Sequence, residues 1–117
     1  MRPDPECPIE RALAVMGRRG ALLILRDLLE ATRRFGELER STRLPPRTLA
    51  RRLRELAAAG LVTRTAHREV PPRVEYALTG LGRRIQPVMN ALRGWGEELP
   101  VTDAARPGVR RGRDRRT

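Results

Sequence analysis

Apolar residues recur at helical spacing through most of this chain and at strand spacing in one stretch past its middle. Ile9, Leu13 and Met16 stand at i, i+4 and i+7, a stripe expected to face inward. Ahead of it, Cys7-Pro8-Ile9-Glu10 reads as a helix start. Cys7 is the N-cap, Pro8 comes first in the helix, and Glu10 comes third, where its charge suits the helix dipole. Gly17 and Gly20 then break the chain. From Ala21 to Ala31 the segment ALLILRDLLEA is apolar nearly all round, as a central buried helix would be.

Arg33-Arg34-Phe35 has room for a very short strand, and a brief helix is expected from about Glu37 to Thr42. Leu44-Pro45-Pro46 marks a turn, with Pro46 opening the next helix. In that helix Leu49, Leu53 and Leu56 share one face. At about 100° per residue, Arg47, Arg51, Arg54 and Ala58 lie opposite, with Thr48, Arg52 and Glu55 on the flank. Gly60 followed by Leu61 is the pattern of a left-handed helix cap with its apolar contact.

Two strands are expected next, Leu61–Arg68 and Arg73–Thr79, joined by Glu69-Val70-Pro71-Pro72. Val74, Tyr76 and Leu78 alternate with Arg73, Glu75 and Ala77, the period of a half-buried strand. The prolines cannot donate to a ladder and suit the hairpin tip. A last helix begins near Thr79. Along it Leu81, Ile85, Val88, Leu92, Trp95 and Leu99 recur with spacings of 4, 3, 4, 3 and 4, a narrow seam that packs one helix on another. Pro87 deprives the carbonyl of Arg83 of its partner, at ~3 kcal/mol unless the helix bends, so a kink is expected there. The fold expected is mainly α with a small antiparallel β-hairpin wing. Residues 1–102 form the domain, and 103–117 a basic, disordered tail holding six Arg and two Asp.

Charge changes the picture from fold to partner. The chain has 117 residues and a formal net charge of +11, which puts nucleic acid first. Between Arg40 and Arg54 lie six arginines (Arg40, Arg43, Arg47, Arg51, Arg52, Arg54) and no acid. So dense a charge is costly to hold unless a polyanion neutralises it. Only three aromatics occur, Phe35, Tyr76 and Trp95, too few for stacking single-stranded bases, which favours duplex DNA.

The residues expected to read DNA are Arg47, Thr48 and Arg51, with Arg52 beside them, since Arg can fork onto guanine and Thr can touch a phosphate or a thymine methyl. The N-terminal half of such a helix usually enters the major groove, which leaves Arg54 too far along for a base. Arg43, in the turn, is a phosphate candidate. Arg68 and Arg73 flank the hairpin tip and should reach the minor groove or its phosphates. The competing reading is a solvated charged face. A binder without sequence preference, of architectural kind, also fits the charge.

Other chemistry is thin. His67 is the single histidine, and neither a metal cluster nor a Ser/His/Asp or Cys/His pair at usable spacing stands beside it, so no metal, cofactor or catalysis is expected. Cys7 is the single cysteine, which excludes an internal disulfide. Free N–H groups at a helix start favour its reactive thiolate, and Arg11 adds to this while Glu6 and Glu10 oppose it. A lone Cys is otherwise an inert small residue. An unbroken apolar run such as Ala21 to Leu25 is far too short for a bilayer, and the acidic, Pro-rich start lacks a secretory pattern. A cytoplasmic location is expected.

CPIERAL, LLILRDL, RRFGELER, TLARRLRELAAAGLV, PPRVEYALTGLG and ALRGWG, in this order over roughly residues 7–96, resemble the HxlR-type winged helix-turn-helix regulators, relatives of the MarR-like group. That resemblance implies a dimeric cytoplasmic repressor or activator. The second helix of the motif and the wing contact the DNA. It also implies a small-molecule or oxidant effector, with redox or electrophile sensing through Cys7. The homodimer would use helices at both ends: the first helix and the seam Leu81, Ile85, Val88, Leu92, Trp95 and Leu99. One residue departs from the pattern. Where a Trp is expected just before LLIL, this chain has Gly20.

Overall fold

A computed structural model describes residues 6–101, and the basic tail expected at 103–117 lies outside the described residues. The elements are α1 (Pro8–Met16), α2 (Ala21–Glu30), β1 (Arg33–Arg34), α3 (Phe35–Thr42), α4 (Pro46–Ala58), β2 (Val62–His67), β3 (Arg73–Leu78), α5 (Gly80–Arg83) and α6 (Gln86–Glu97). Contacts divide the chain after Ile85, leaving α6 in a unit of its own.

The core of the first unit is leucine-rich and built from α2, α3, the turn after it, α4 and the sheet, while α1 buries nothing. Ile24, Leu25 and Leu28 of α2, Leu38 of α3, Leu44 of the turn, and Leu49, Leu53 and Leu56 of α4 are buried, and Val62 and Leu78 join them from the sheet. Each such side chain contributes about 1.5–3 kcal/mol on leaving water. Helix α2 buries Ala21, Ile24, Leu25, Asp27 and Leu28, as its all-round apolar character predicts. Asp27 is held by Arg26 Nε at 2.9 Å, which leaves its Oδ2 buried without a partner.

Helix α1 departs from expectation. Cys7 is its N-cap and Pro8 its first residue, yet none of its residues is buried. Ile9 is 70% and Leu13 50% exposed, so the stripe does not face this chain's own core. Gly20 precedes α2 with φ at +82°, a left-handed conformation that favours glycine. A Cβ there would lie 2.5 Å from Leu44 Cδ1. At the position of the missing Trp, a side chain would have to adopt a left-handed backbone and displace the side chain of Leu44.

Helix α3 starts at Phe35, two residues earlier than expected, because Glu37 accepts the Arg34 N–H at 2.8 Å and fixes the first turn. Arg43 ends it with φ at +59°, the only described non-glycine with positive φ. Around it, buried Thr42 donates to the Leu38 carbonyl (2.7 Å) and accepts from the Leu44 N–H (3.3 Å). The turn is therefore locked from both sides, which sustains an unfavourable left-handed residue costing about 1–3 kcal/mol. Pro46 opens α4, and its last turn closes as the Gly60-Leu61 pattern requires: Gly60 N–H to Ala57 O and Leu61 N–H to Leu56 O, both 3.0 Å.

The wing is a three-stranded antiparallel sheet in the order β1-β3-β2. Its register places Val62 opposite Leu78, Arg64 opposite Tyr76 and His67 opposite Arg73, while β1 sets Arg33 against Tyr76. The pairing of β1 makes β3 a central strand, and its residues are half-buried throughout until Leu78 instead of alternating cleanly. The expected hairpin is thus part of a slightly larger sheet.

Thr79 caps α5: its hydroxyl accepts the Gly82 N–H (3.0 Å) and donates to the Gly60 carbonyl (2.6 Å). The expected single kinked helix is in fact two. Helix α5 closes through short-range bonds, Arg84 N–H to Leu81 O and Ile85 N–H to Gly82 O, and α6 starts again at Gln86. Pro87 removes the N–H that would continue the ladder, and its ring crowds the carbonyl four residues back, so the helical run is interrupted ahead of it. The seam therefore does not run along one helix. Leu81 (56%), Val88 (40%), Trp95 (61%) and Leu99 (49%) are exposed, and Ile85 and Leu92 are half-buried.

Candidate nucleic-acid interface

Helix α4 carries the candidate site because its two faces are so unlike. Leu49, Leu53 and Leu56 are 0–3% exposed and seat the helix on the core. The opposite face presents Arg47, Arg51 and Arg54 to solvent, with Thr48 half-buried beside them. None of these three arginines has a salt bridge among the described residues. Arg43 is exposed at the left-handed turn just ahead of the helix, and Arg40 is exposed on α3. Unpaired guanidinium groups on a rigid, leucine-anchored helix are fully available to an external anion.

Two expected contacts are placed otherwise. Arg52 is turned inward: its side chain is 11% exposed, Nε donates to the Arg19 carbonyl at 2.8 Å, and a terminal nitrogen pairs with Glu55 at 3.1 Å. It fastens α4 to the α1–α2 connection. Glu55, the single acid of α4, also lies 3.8 Å from Arg18. Arg73 is likewise engaged. It pairs with Glu69 at 3.0 Å and lies 3.7 Å from Glu75, while His67 Nε2 meets the other oxygen of Glu75 at 2.9 Å. Beside the hairpin tip, Arg73 is a strut within a mixed-charge cluster. Arg68 remains exposed at the end of β2, without a partner among the described residues.

The sequence reading missed Arg64. It stands exposed on β2, directly opposite Tyr76 on β3. Alternation from buried Val62 is the one signal that hints at its face, and the opposite partner is not visible without the register.

Among the described residues, no group of three or more His, Cys, Asp or Glu is placed to hold a metal ion, and no helix is long and apolar enough to cross a membrane. Cys7 is half-buried at the start of α1, and its side chain makes no capping hydrogen bond.

A helix, a tight turn, a leucine-backed arginine helix and a wing stand in the order of a DNA-reading module. The model of the HxlR-like helix-turn-helix family matches residues 15–103. The chain belongs to that family. Among its relatives, an uncharacterized HTH-type transcriptional regulator of Synechocystis sp. is 39% identical over 93 residues, spanning 79% of this chain and 69% of that protein. A solved structure described as a MarR-family transcriptional regulator of Porphyromonas gingivalis W83 superposes with a TM-score of 0.78 at 33% identity, covering 83% of this chain and 96% of that one. The redox regulator HypR in its oxidized form gives a TM-score of 0.77 at 35% identity, covering 82% and 100%. The fold is that of the winged-helix regulators, and the protein is a DNA-binding transcription regulator of the HxlR family.

Proposed function

We propose that this HxlR-family regulator binds duplex DNA sequence-specifically as a homodimer and represses transcription. The observation that carries the reading is the outward row Arg47, Thr48 and Arg51, unpaired and held rigid over buried Leu49 and Leu53. Arg47, Thr48 and Arg51 read the major groove, Arg43 and Arg68 hold phosphates, and Arg52 and Arg73 act only by positioning these elements. The exposed Ile9 and Leu13 of α1, with Leu81, Ile85, Val88, Leu92, Trp95 and Leu99, form the contact with a second copy. Two reading helices related by a two-fold axis call for a near-palindromic operator with half-sites ~34 Å apart.

Similarity to an oxidized redox regulator supports a sensing role for Cys7. One Cys per chain limits its products to an intersubunit disulfide, a mixed disulfide or an adduct. A cytoplasmic site of action follows from the same reading.

The test is footprinting on the DNA flanking the protein's own gene, followed by a salt titration on that duplex and on random duplex. Specific reading gives a ratio of ~10³ or more between them. Equal affinities with parallel salt slopes would instead establish a charge-driven architectural binder.

A further inference from the structure

Helix α4 is held on both flanks, and only one of them belongs to the wing. Ala50, Arg54 and Ala57 line a cleft with Arg64 and Tyr76 of the sheet. Arg52 faces the other way, about 200° round the helix from Ala50, with Arg51 midway between them. On that second flank stands the α1–α2 connection, Gly17-Arg18-Arg19-Gly20.

Specific contacts fix this turn against the reading motif. Arg52 Nε donates to the Arg19 carbonyl at 2.8 Å. Glu55, paired with Arg52 at 3.1 Å, also lies 3.8 Å from Arg18. Gly20 sits so close to Leu44 that a Cβ would stand 2.5 Å from its Cδ1. Arg19 precedes Gly20 and Arg43 precedes Leu44, so an arginine stands beside each member of the packed pair. Both arginines are exposed, and neither side chain has an acidic partner or a hydrogen bond among the described residues. Arg18, Arg19 and Arg52 against Glu55 leave the flank positive.

A helix seated in the major groove, roughly 12 Å wide, has a phosphate backbone on each side. In the function proposed above the wing meets one of them. The second flank is pinned, exposed and cationic, and a guanidinium there can donate to phosphodiester oxygens.

We propose that Arg19, with Arg18 beside it, binds a phosphodiester on the DNA strand across the major groove from the wing, so that the duplex is held at both walls of the groove while α4 reads between them. This contact presupposes the duplex binding proposed above and lies outside both the helix-turn-helix and the wing. Like other phosphate contacts, it sets the register of the protein on DNA and carries no sequence preference.

Salt titrations of the full chain on the footprinted duplex and on random duplex test the contact. Arg19→Gln removes the guanidinium and leaves the carbonyl that Arg52 holds. It should weaken both complexes by the same factor, about tenfold at ~50 mM salt, and lower the salt slope by about 1. Arg19→Lys keeps the charge and should retain the native slope. Arg83→Gln removes the same charge from an exposed position of α5 and should leave the slope as it is. The Arg19 side chain has no partner to lose, so its variants should melt with the native chain. In ethylation interference, the phosphate whose effect is lost in Arg19→Gln should lie across the major groove from the one lost in Arg68→Gln.

An affinity and slope for Arg19→Gln equal to those of the native chain or of Arg83→Gln would overturn the contact. So would loss of slope in Arg19→Lys as large as in Arg19→Gln, or an interfering phosphate on the wing's own side of the groove. A changed ratio between the two duplexes would make Arg19 a reader of bases and overturn it equally. Absence of any duplex affinity in the native chain would overturn the proposed function and this contact together, whereas a native chain that binds with Arg19 idle sinks the contact alone.

Discussion

Helices α1 and α4 are both amphipathic, both begin with a proline, and both carry an apolar stripe at helical spacing, but they end in opposite surroundings. The stripe of α4 is sealed at 0–3% exposure, whereas Ile9 and Leu13 of α1 stand 70% and 50% open. The charges follow suit. Helix α4 turns its unpaired arginines outward and ties down Arg52, its one inward arginine, at both ends. Periodicity thus shows that a face wants to leave water, and says nothing of which chain will cover it. For α4 the cover is the monomer's own core, and for α1 it is a second copy in the function proposed here.

The difference can be broken most forcefully at Leu53. Leu53→Ala should cost about 2–5 kcal/mol in chemical denaturation of the dilute protein. Leu13→Ala under the same dilute conditions should change stability by less than about 1 kcal/mol, and Leu13→Glu should shift sedimentation equilibrium toward the single chain. Equal losses for Leu53→Ala and Leu13→Ala in dilute solution would dissolve the contrast.

The next largest effect separates the arginines of α4 from each other. Arg51→Ala should weaken operator binding by about 1–3 kcal/mol with the melting temperature unchanged. Arg52→Ala should do the reverse, since a charge-assisted hydrogen bond to the Arg19 carbonyl is worth about 1.5–3 kcal/mol of stability. A duplex titration beside a thermal melt of each variant decides the matter. Arg52→Ala matching Arg51→Ala on DNA without loss of stability would return Arg52 to the reading face.

A finer probe lies at the turn. Arg43→Gly relieves a left-handed arginine and should stabilise the fold by about 0.5–1 kcal/mol in urea unfolding. The same change should lower the salt slope of DNA binding by about 1 through loss of one phosphate contact. The smallest change concerns α1 alone. Cys7→Ser should leave operator affinity and stability nearly unchanged in reducing buffer but abolish any weakening of the complex by diamide. An identical diamide dose curve in the variant would end the sensing proposal.

Local signals in the sequence carried most of the scaffold. Pro46 at a helix start, Gly60-Leu61 at a helix end and Thr79 ahead of α5 each act within a few residues, and each does in the structure what its chemistry demands. The leucine stripe of α4 was legible for the same reason. What escaped depends on partners distant in sequence. Arg52 finds a carbonyl 33 residues away. Pairing of β1 with β3 converts a hairpin into a sheet with a protected centre, which two arginines before a helix do not announce. The break after Arg83 was half legible: Pro87 marked it, but whether a helix bends or restarts depends on what surrounds it.

The attachment of β1 has a further consequence. It runs straight into α3, while α4 leads through Gly60 into β2, and both short strands flank β3. The helical pair is therefore a loop whose two ends are stitched to opposite edges of one backbone, like a purse on a single drawstring. Neither end can fray alone, so amides of α3 and α4 should exchange with solvent only when β3 itself comes undone.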